Sequence, residues 1–167
     1  MNSFQRITIF LFFPLLSSQA IFTDTIDYSH RSISSLDTNE LMTLVKEPNR
    51  IKNFQLNSNM LLTIPSQIEQ FQSLITMELS NNQLVQLPTE ISSLKNLKNL
   101  FLKNNALDDF SLPKELDQLK HLEVINLGGN RLKQFPYQLF HMFNLKEIYL
   151  GSNQIAFLPD LFQTLNK

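Results

Sequence analysis

The 167-residue chain contains no cysteine and no tryptophan, only three glycines and few charged residues. Without cysteine it has neither a disulfide framework nor a thiolate metal site. Three glycines argue against a glycine-rich phosphate-binding loop. Charged residues make up 17% of the chain and the formal net charge is −1, so electrostatics give no reason to expect binding to nucleic acid or an acidic membrane surface.

Patterns typical of enzymes are also missing. The three histidines, His30, His121 and His141, do not have metal-ligand spacing on one element. Nucleophile-elbow, Walker and dinucleotide fingerprints are absent. Asp108 and Asp109 are adjacent carboxylates, but acid–base catalysis needs a pocket that perturbs them, and we expect this pair in a solvated surface turn. The sequence therefore predicts no enzyme activity, no cofactor and no metal.

What the sequence does contain is a tandem repeat. In residues 74–96, apolar residues occupy the first, fourth, sixth, eleventh, fourteenth, eighteenth and twenty-first places, with Asn82 at the ninth and Pro88 at the fifteenth. Self-similarity at a fixed period is the signature of a repeat architecture. The same spacing recurs in five consecutive segments, of which the third is two residues longer: 51–73, 74–96, 97–121, 122–144 and 145–167.

Each repeat predicts a short strand, a turn and a convex segment. Met77 and Leu79 should point inward from the strand, since alternate residues face opposite sides. The ninth-place asparagines would satisfy backbone groups that the turn leaves unpaired. An apolar residue three places after each proline suits one helical or 3₁₀ turn. We therefore expect an α/β solenoid, a horseshoe with a parallel concave sheet and short helical or 3₁₀ convex turns.

This spacing resembles the short 23-residue class of leucine-rich repeats, with the skeleton L-x-x-L-x-L-x-x-N-x-L-x-x-L-P, over all of 51–167. The resemblance implies a scaffold or recognition module, including substrate recognition in ubiquitin ligases, and carries no residue-level site. Segments Leu100–Leu107, Leu112–Leu116 and Asp27–Ser29 look similar to an intracellular member of the family. That likeness implies a cytoplasmic location.

The N-terminal residues give a different indication about location. Residues 1–20 combine Arg6, an apolar stretch over 7–16, and the small residues Ser18 and Ala20, which is the pattern of a signal peptide cleaved after Ala20. Ten apolar residues are too few for a membrane-spanning helix, which needs about 20. The pattern predicts a secretory or extracellular protein. The absence of cysteine and of Asn-x-Ser/Thr sites favours the cytoplasmic alternative.

The two ends of the repeat array differ from its middle. Residues 21–50 are expected to form an N-terminal cap, with a short helix over 37–46 preceded by a half repeat whose apolar residues are Ile26, Tyr28, Ile33 and Leu36. No C-terminal cap follows the fifth repeat. An uncapped repeat predicts an exposed apolar end that associates with another surface, formed by Leu158, Phe162 and Leu165.

The concave strand face is the expected binding surface of a solenoid. Phe101 and Tyr149 should be solvent-facing aromatic residues on it, and Gly128 and Gly151 should clear space around them. The sequence thus predicts a non-catalytic protein–protein interaction module. The alternative is a truncated fragment of a longer intracellular leucine-rich-repeat scaffold or ubiquitin-ligase substrate receptor, without independent function. The residues expected to contact a protein partner are Gln55, Glu78, Phe101, Lys103, Asn126, Glu147 and Tyr149.

Overall fold

The computed structural model describes residues 24–36 and 47–159, and the strands within them form one parallel sheet in chain order. The predicted signal peptide, the predicted helix over 37–46, Phe162 and Leu165 lie outside the described residues. The predicted parallel sheet is confirmed. Its strands are β1 Thr25–Asp27, β2 Asn53–Gln55, β3 Thr76–Glu78, β4 Asn99–Phe101, β5 Val124–Asn126 and β6 Glu147–Tyr149.

The strands are paired without any register shift between repeats. Met77, the middle residue of β3, aligns with Phe54 of β2 and Leu100 of β4. Ile125 and Ile148 continue the row through β5 and β6. Side chains alternate across a strand, so this middle row faces the core and the residues on either side of it face the opposite, concave surface.

Short 3₁₀ helices lie on the convex side, as the sequence predicted. In the second repeat, the helix starts directly after Pro88, whose carbonyl accepts a hydrogen bond from the Ile91 N–H at 3.2 Å. Proline fixes its own φ, and here it ends the extended segment just before the turn. The helices are η1 Pro48–Arg50, η2 Ser66–Gln70, η3 Thr89–Ser93, η4 Lys114–Gln118 and η5 Tyr137–His141.

One continuous apolar core fills the space between the sheet and the 3₁₀ helices. Leu79 and Leu102, at the sixth place of neighbouring repeats, are both completely buried. Near the N-terminal end, the rings of Phe54 and Phe71 pack with their centroids 5.4 Å apart. Burying one such side chain stabilises the fold by about 1.5–3 kcal/mol.

The ninth-place asparagines hold the turn that follows each strand. Asn82 donates from Nδ2 to the carbonyls of Leu56 and Leu79, both at 3.0 Å, and its Oδ1 accepts the Leu61 N–H at 3.0 Å. These bonds satisfy buried backbone groups that the sheet leaves unpaired, which confirms the predicted role. The same arrangement is made by Asn59, Asn105, Asn130 and Asn153.

The residue before each of these asparagines has left-handed backbone geometry, a conformation that few residue types adopt readily. Asn104, with φ of 55°, donates from Nδ2 to the Asn81 Oδ1 at 2.8 Å. At Gly129, with φ of 68°, an added Cβ would lie 2.2 Å from the Asn104 Oδ1. Ser and Asn adopt this conformation in the other repeats, so a larger residue at 129 would mainly require the Asn104 side chain to move.

The N-terminal half repeat extends the sheet by one strand. Ile26 aligns with Phe54, and the four predicted apolar residues of the half repeat pack, partly buried, against the core. The asparagine position is taken by Arg31. The turn is instead closed from the next repeat, because the Asn59 Oδ1 accepts both the Arg31 and Ile33 N–H groups at 3.0 Å.

The longer third repeat accommodates its extra residues in a hydrogen-bonded bulge. The Asp108 Oδ1 accepts the Phe110 N–H at 2.9 Å, and this bond lowers the pKa of Asp108. The Asp109 Oδ1 accepts the N–H groups of Lys133 and Gln134 in the next repeat, at 2.8 and 3.0 Å. Asp109 thus lies in a surface turn, as expected, and its carboxylate also links two repeats.

Candidate protein-binding site

The concave face is a grid built by the outward-facing residues of the six strands. The third place of every repeat forms one row, which contains Thr25, Asn53, Thr76, Asn99, Val124 and Glu147. The fifth place forms the next row, which contains Asp27, Gln55, Glu78, Phe101, Asn126 and Tyr149. Neighbours within a row are about 4.8 Å apart, the spacing of paired strands.

The N-terminal part of this grid is polar, and its side chains bond to one another or to their own backbone. Asn53 Nδ2 donates to the Thr25 Oγ1 at 3.1 Å, and Asn99 Nδ2 donates to the Thr76 Oγ1 at 3.2 Å. The Glu78 Oε1 accepts the Ser80 N–H at 2.9 Å. These bonds hold the side chains against the sheet, so this part of the face presents few uncommitted polar groups.

The C-terminal part of the grid is aromatic. Phe101 is half-buried between its neighbours, whereas Tyr149 exposes 48% of its surface. The Tyr149 hydroxyl donates to the Glu147 Oε2 at 2.5 Å. This bond raises the pKa of Tyr149, because the ionised phenolate would lose it and face a carboxylate. Tyr149 and Glu147 therefore form one fixed unit at the end of the described sheet.

The two glycines at the seventh place have different surroundings. An added Cβ at Gly151 would meet no atom within 4 Å, so this position borders open space. At Gly128 it would lie 3.2 Å from the Asn126 Oδ1 and 3.3 Å from the Gly151 carbonyl oxygen. The same Asn126 Oδ1 accepts the Gly128 N–H at 3.0 Å. This bond keeps the Asn126 side chain close to the backbone of its own strand.

A charged edge lies beside the grid at the second place of the repeats. Lys146 Nζ is 2.6 Å from the Glu123 Oε2, and Lys98 Nζ is 3.5 Å from the Glu123 Oε1. The pKa of Glu123 is lowered, first because the Lys146 ammonium donates to it. The pairs are solvent-exposed, so each contributes little to stability. Sequence reasoning missed this edge, although the alternating charges at one repeat position are its signal.

The structure brings only some of the predicted contact residues together. Phe101, Asn126 and Tyr149 are consecutive across β4, β5 and β6. Gln55 lies four strands from Tyr149, about 19 Å along the sheet. A single small ligand side chain cannot contact both ends, so the site divides into a polar N-terminal part and an aromatic C-terminal part.

Three phenylalanines outside the grid are more exposed than either concave aromatic residue. They are Phe110 at 94%, Phe143 at 89% and Phe157 at 86%. Phe110 lies in the bulge of the third repeat, beyond the ninth-place turn. Sequence reasoning did not single out these three residues, which stand where other repeats mostly have polar ones.

Comparison with known proteins agrees with this architecture. A family model described as Leucine Rich Repeat matches residues 73–94 and 144–165. Together with the parallel sheet of six strands, this match shows that the described part of the chain has the fold of a leucine-rich-repeat solenoid. Solenoids of this kind generally serve as non-enzymatic scaffolds for protein interaction.

Two solved structures are similar to this leucine-rich-repeat solenoid. A leucine-rich-repeat protein from Leptospira interrogans has 28% sequence identity and a TM-score of 0.45, covering 80% of this chain and 44% of its own. A plant peptide hormone receptor, RGFR1, solved in complex with RGF2, has 28% identity and a TM-score of 0.55, covering 64% and 18%. The chain thus spans less than half the length of either protein.

A search of curated protein sequences finds no match to the chain. The finer resemblance of the third repeat and the N-terminal entry to leucine-rich repeat-containing protein 58 therefore has no support from these comparisons.

Two further observations concern other kinds of site. Within residues 24–36 and 47–159, no group of three His, Cys, Asp or Glu side chains is placed to hold a metal ion. Across the same ranges, every helix is too short or too polar to cross a membrane.

Proposed function

We propose that this leucine-rich-repeat solenoid binds a partner protein on its concave face, centred on Phe101 and Tyr149. The observation that carries the proposal is the row of β4 to β6, where two aromatic side chains flank the shorter Asn126. Aromatic residues dominate the energetics of protein interfaces when polar residues surround them. Here the surrounding contact residues are Gln55, Glu78, Lys103, Asn126 and Glu147.

The rigidity of the strands supports this proposal. Phe101 and Tyr149 project from hydrogen-bonded strands rather than from loops, so ordering them on binding costs little backbone entropy. The similar plant receptor is itself described as a peptide hormone receptor. A peptide or an extended protein segment is consequently the kind of partner that the concave face fits best.

Alanine substitution of the two aromatic residues tests the site. Partners recovered with the wild-type chain should be lost with Phe101→Ala and with Tyr149→Ala. The matched control is Phe110→Ala, because Phe110 is the more exposed aromatic residue and lies off the concave face. If Phe101→Ala and Tyr149→Ala recover the same partners as wild type, the concave site is wrong.

We also propose that residues 1–20 direct the chain into the secretory pathway, a proposal supported by the sequence pattern alone. N-terminal sequencing of the protein from cells tests it. A mature chain beginning at Ile21 is expected, whereas retained Met1 would indicate the cytoplasmic alternative.

A further inference from the structure

The aromatic part of the concave face has the form of a slot. Its walls are Phe101 of β4 and Tyr149 of β6, and its floor is Asn126 of the strand between them. We call this feature the aromatic slot. Because two strand spacings separate its walls, the backbone positions of the two aromatic residues lie roughly 9–10 Å apart.

The Asn126 side chain at the floor of the aromatic slot does not project between the two rings. The Asn126 Oδ1 is bonded to the Gly128 N–H at 3.0 Å, which folds the side chain back along its own strand. Gly151 has no side chain, and an added Cβ there would meet no atom within 4 Å, so the space beyond Tyr149 is open. One unbranched side chain of a partner can therefore lie between the two rings.

The two ends of the aromatic slot carry opposite charges. Glu147 lies on β6 two residues before Tyr149, and the Tyr149 hydroxyl fixes its carboxylate. Lys103 lies two residues after Phe101, at the other end. Both side chains are exposed, and neither makes an ion pair with another residue in the described part of the chain.

These features define the ligand chemistry. We propose that the aromatic slot binds an arginine or lysine side chain of an extended partner segment, with its alkyl part between the rings and its cationic end at Glu147. Cations are attracted to aromatic faces, and a carboxylate adds a charge-assisted hydrogen bond. Lys103 repels a cation and so fixes the direction of the bound side chain. This inference rests on the proposed concave binding function.

The other acidic residues of the face are less suited to this role. Asp27 accepts the N–H and the hydroxyl of Ser29, at 2.9 and 2.5 Å, and these bonds lower its pKa. Glu78 is bonded to the Ser80 N–H. Asp27 has no aromatic residue on its own strand, and Glu78 has Phe101 on one side but Gln55 on the other, so a cation at Glu78 would contact one ring rather than two. The combination of carboxylate, ring and open floor occurs at Glu147, Tyr149 and Gly151.

Selection from a random heptapeptide display library against the full chain tests this inference. The peptides recovered should contain arginine or lysine. Replacing that residue by norleucine in a recovered peptide should weaken binding to the wild-type chain about tenfold. The same replacement should have little effect on binding to Glu147→Gln, because the variant retains a hydrogen-bond acceptor for Tyr149 but lacks the charge. The control Glu69→Gln, at an exposed acidic residue of η2 away from the concave face, should retain the preference for a basic residue.

Other outcomes would overturn the inference. It is wrong if no peptide is recovered, if the recovered peptides lack a basic residue, or if norleucine weakens binding to Glu147→Gln as much as to wild type. Recovered peptides that need Phe101 and Tyr149 but no basic residue would leave the proposed concave site intact. Peptides that bind Phe101→Ala and Tyr149→Ala as tightly as wild type would contradict both the aromatic slot and the proposed concave binding site.

Discussion

The second and third repeats bury the same positions but connect them differently. Leu79 and Leu102 are both completely inaccessible, and Asn82 and Asn105 make equivalent turn bonds. The second repeat then runs directly to its proline, whereas the third inserts two residues. The extra residues do not enter the sheet, because the register from β3 to β5 is unbroken.

The insertion carries its own hydrogen-bonding partners. The Asp108 N–H donates to the Ser111 Oγ at 2.8 Å, and the Ser111 hydroxyl oxygen lies 2.6 Å from the Val85 carbonyl oxygen. Asp109 bonds to the backbone of the following repeat. In that repeat, the buried Gln138 donates to the Leu112 carbonyl at 2.8 Å. A repeat can lengthen at this point because polar side chains satisfy the displaced backbone.

The largest effect on stability should come from substituting the buried leucines that the second and third repeats have at the same position. Leu79→Ala and Leu102→Ala each remove a fully buried side chain, so each should lower the free energy of unfolding by about 3 kcal/mol. Urea denaturation followed by circular dichroism measures both values. A clearly smaller loss for Leu102→Ala would show that the bulge lets the third repeat collapse around the cavity.

The turn asparagines should give the next largest effect. Asn82→Ala leaves the Leu61 N–H without its acceptor and removes one of the two asparagine donors from each of the Leu56 and Leu79 carbonyls, so it should cost about 2 kcal/mol in the same experiment. Asn105→Ala should cost less, because Asn105 is only partly buried. The neighbouring exposed Gln83→Ala is the control and should change stability by less than about 0.5 kcal/mol. Equal losses for Asn82→Ala and Gln83→Ala would contradict the assigned role.

The bulge of the third repeat should contribute less to stability than the turn asparagines do. Asp109→Ala removes two hydrogen bonds to the fourth repeat near the surface, and should lower the free energy of unfolding by about 1 kcal/mol. Asp117→Ala removes an acidic residue of η4 and serves as the charge-matched control. Identical free energies of unfolding for the two variants would show that the two hydrogen bonds of Asp109 add nothing measurable to stability.

The smallest effect should be a dependence on pH at Asp108. The Phe110 N–H and the Ser111 hydroxyl favour the ionised carboxylate and lower its pKa from the ordinary value of 3.8. The resulting stabilisation is complete above that value and is lost as pH falls through the lowered pKa. The difference in stability between wild type and Asp108→Asn should therefore stay constant from about pH 7 to pH 5 and shrink below about pH 4. A constant difference down to pH 2 would contradict this assignment.

The sequence predicts the fold because every element repeats with the same apolar, asparagine and proline spacing. It also places Phe101 and Tyr149 on one face, since alternation along a strand needs no tertiary information. The bonds of Asp109 and Gln138 could not be predicted, because each reaches a backbone group about 25 residues away whose position depends on how the bulge folds. The pairing of Tyr149 with Glu147 was within reach, as both belong to one short strand.

The hydrogen bonds that the turn asparagines make between repeats all point toward the N-terminal end of the array. Asn153 bonds to Leu150 of its own repeat and to Leu127 and Leu132 of the repeat before it, and the other four follow the same pattern. None of these bonds reaches into the repeat that follows. A ribosome releases the chain in the same order, N-terminal residues first. Each asparagine therefore emerges after all of its partners have been synthesised, and the turns can close one after another while translation continues.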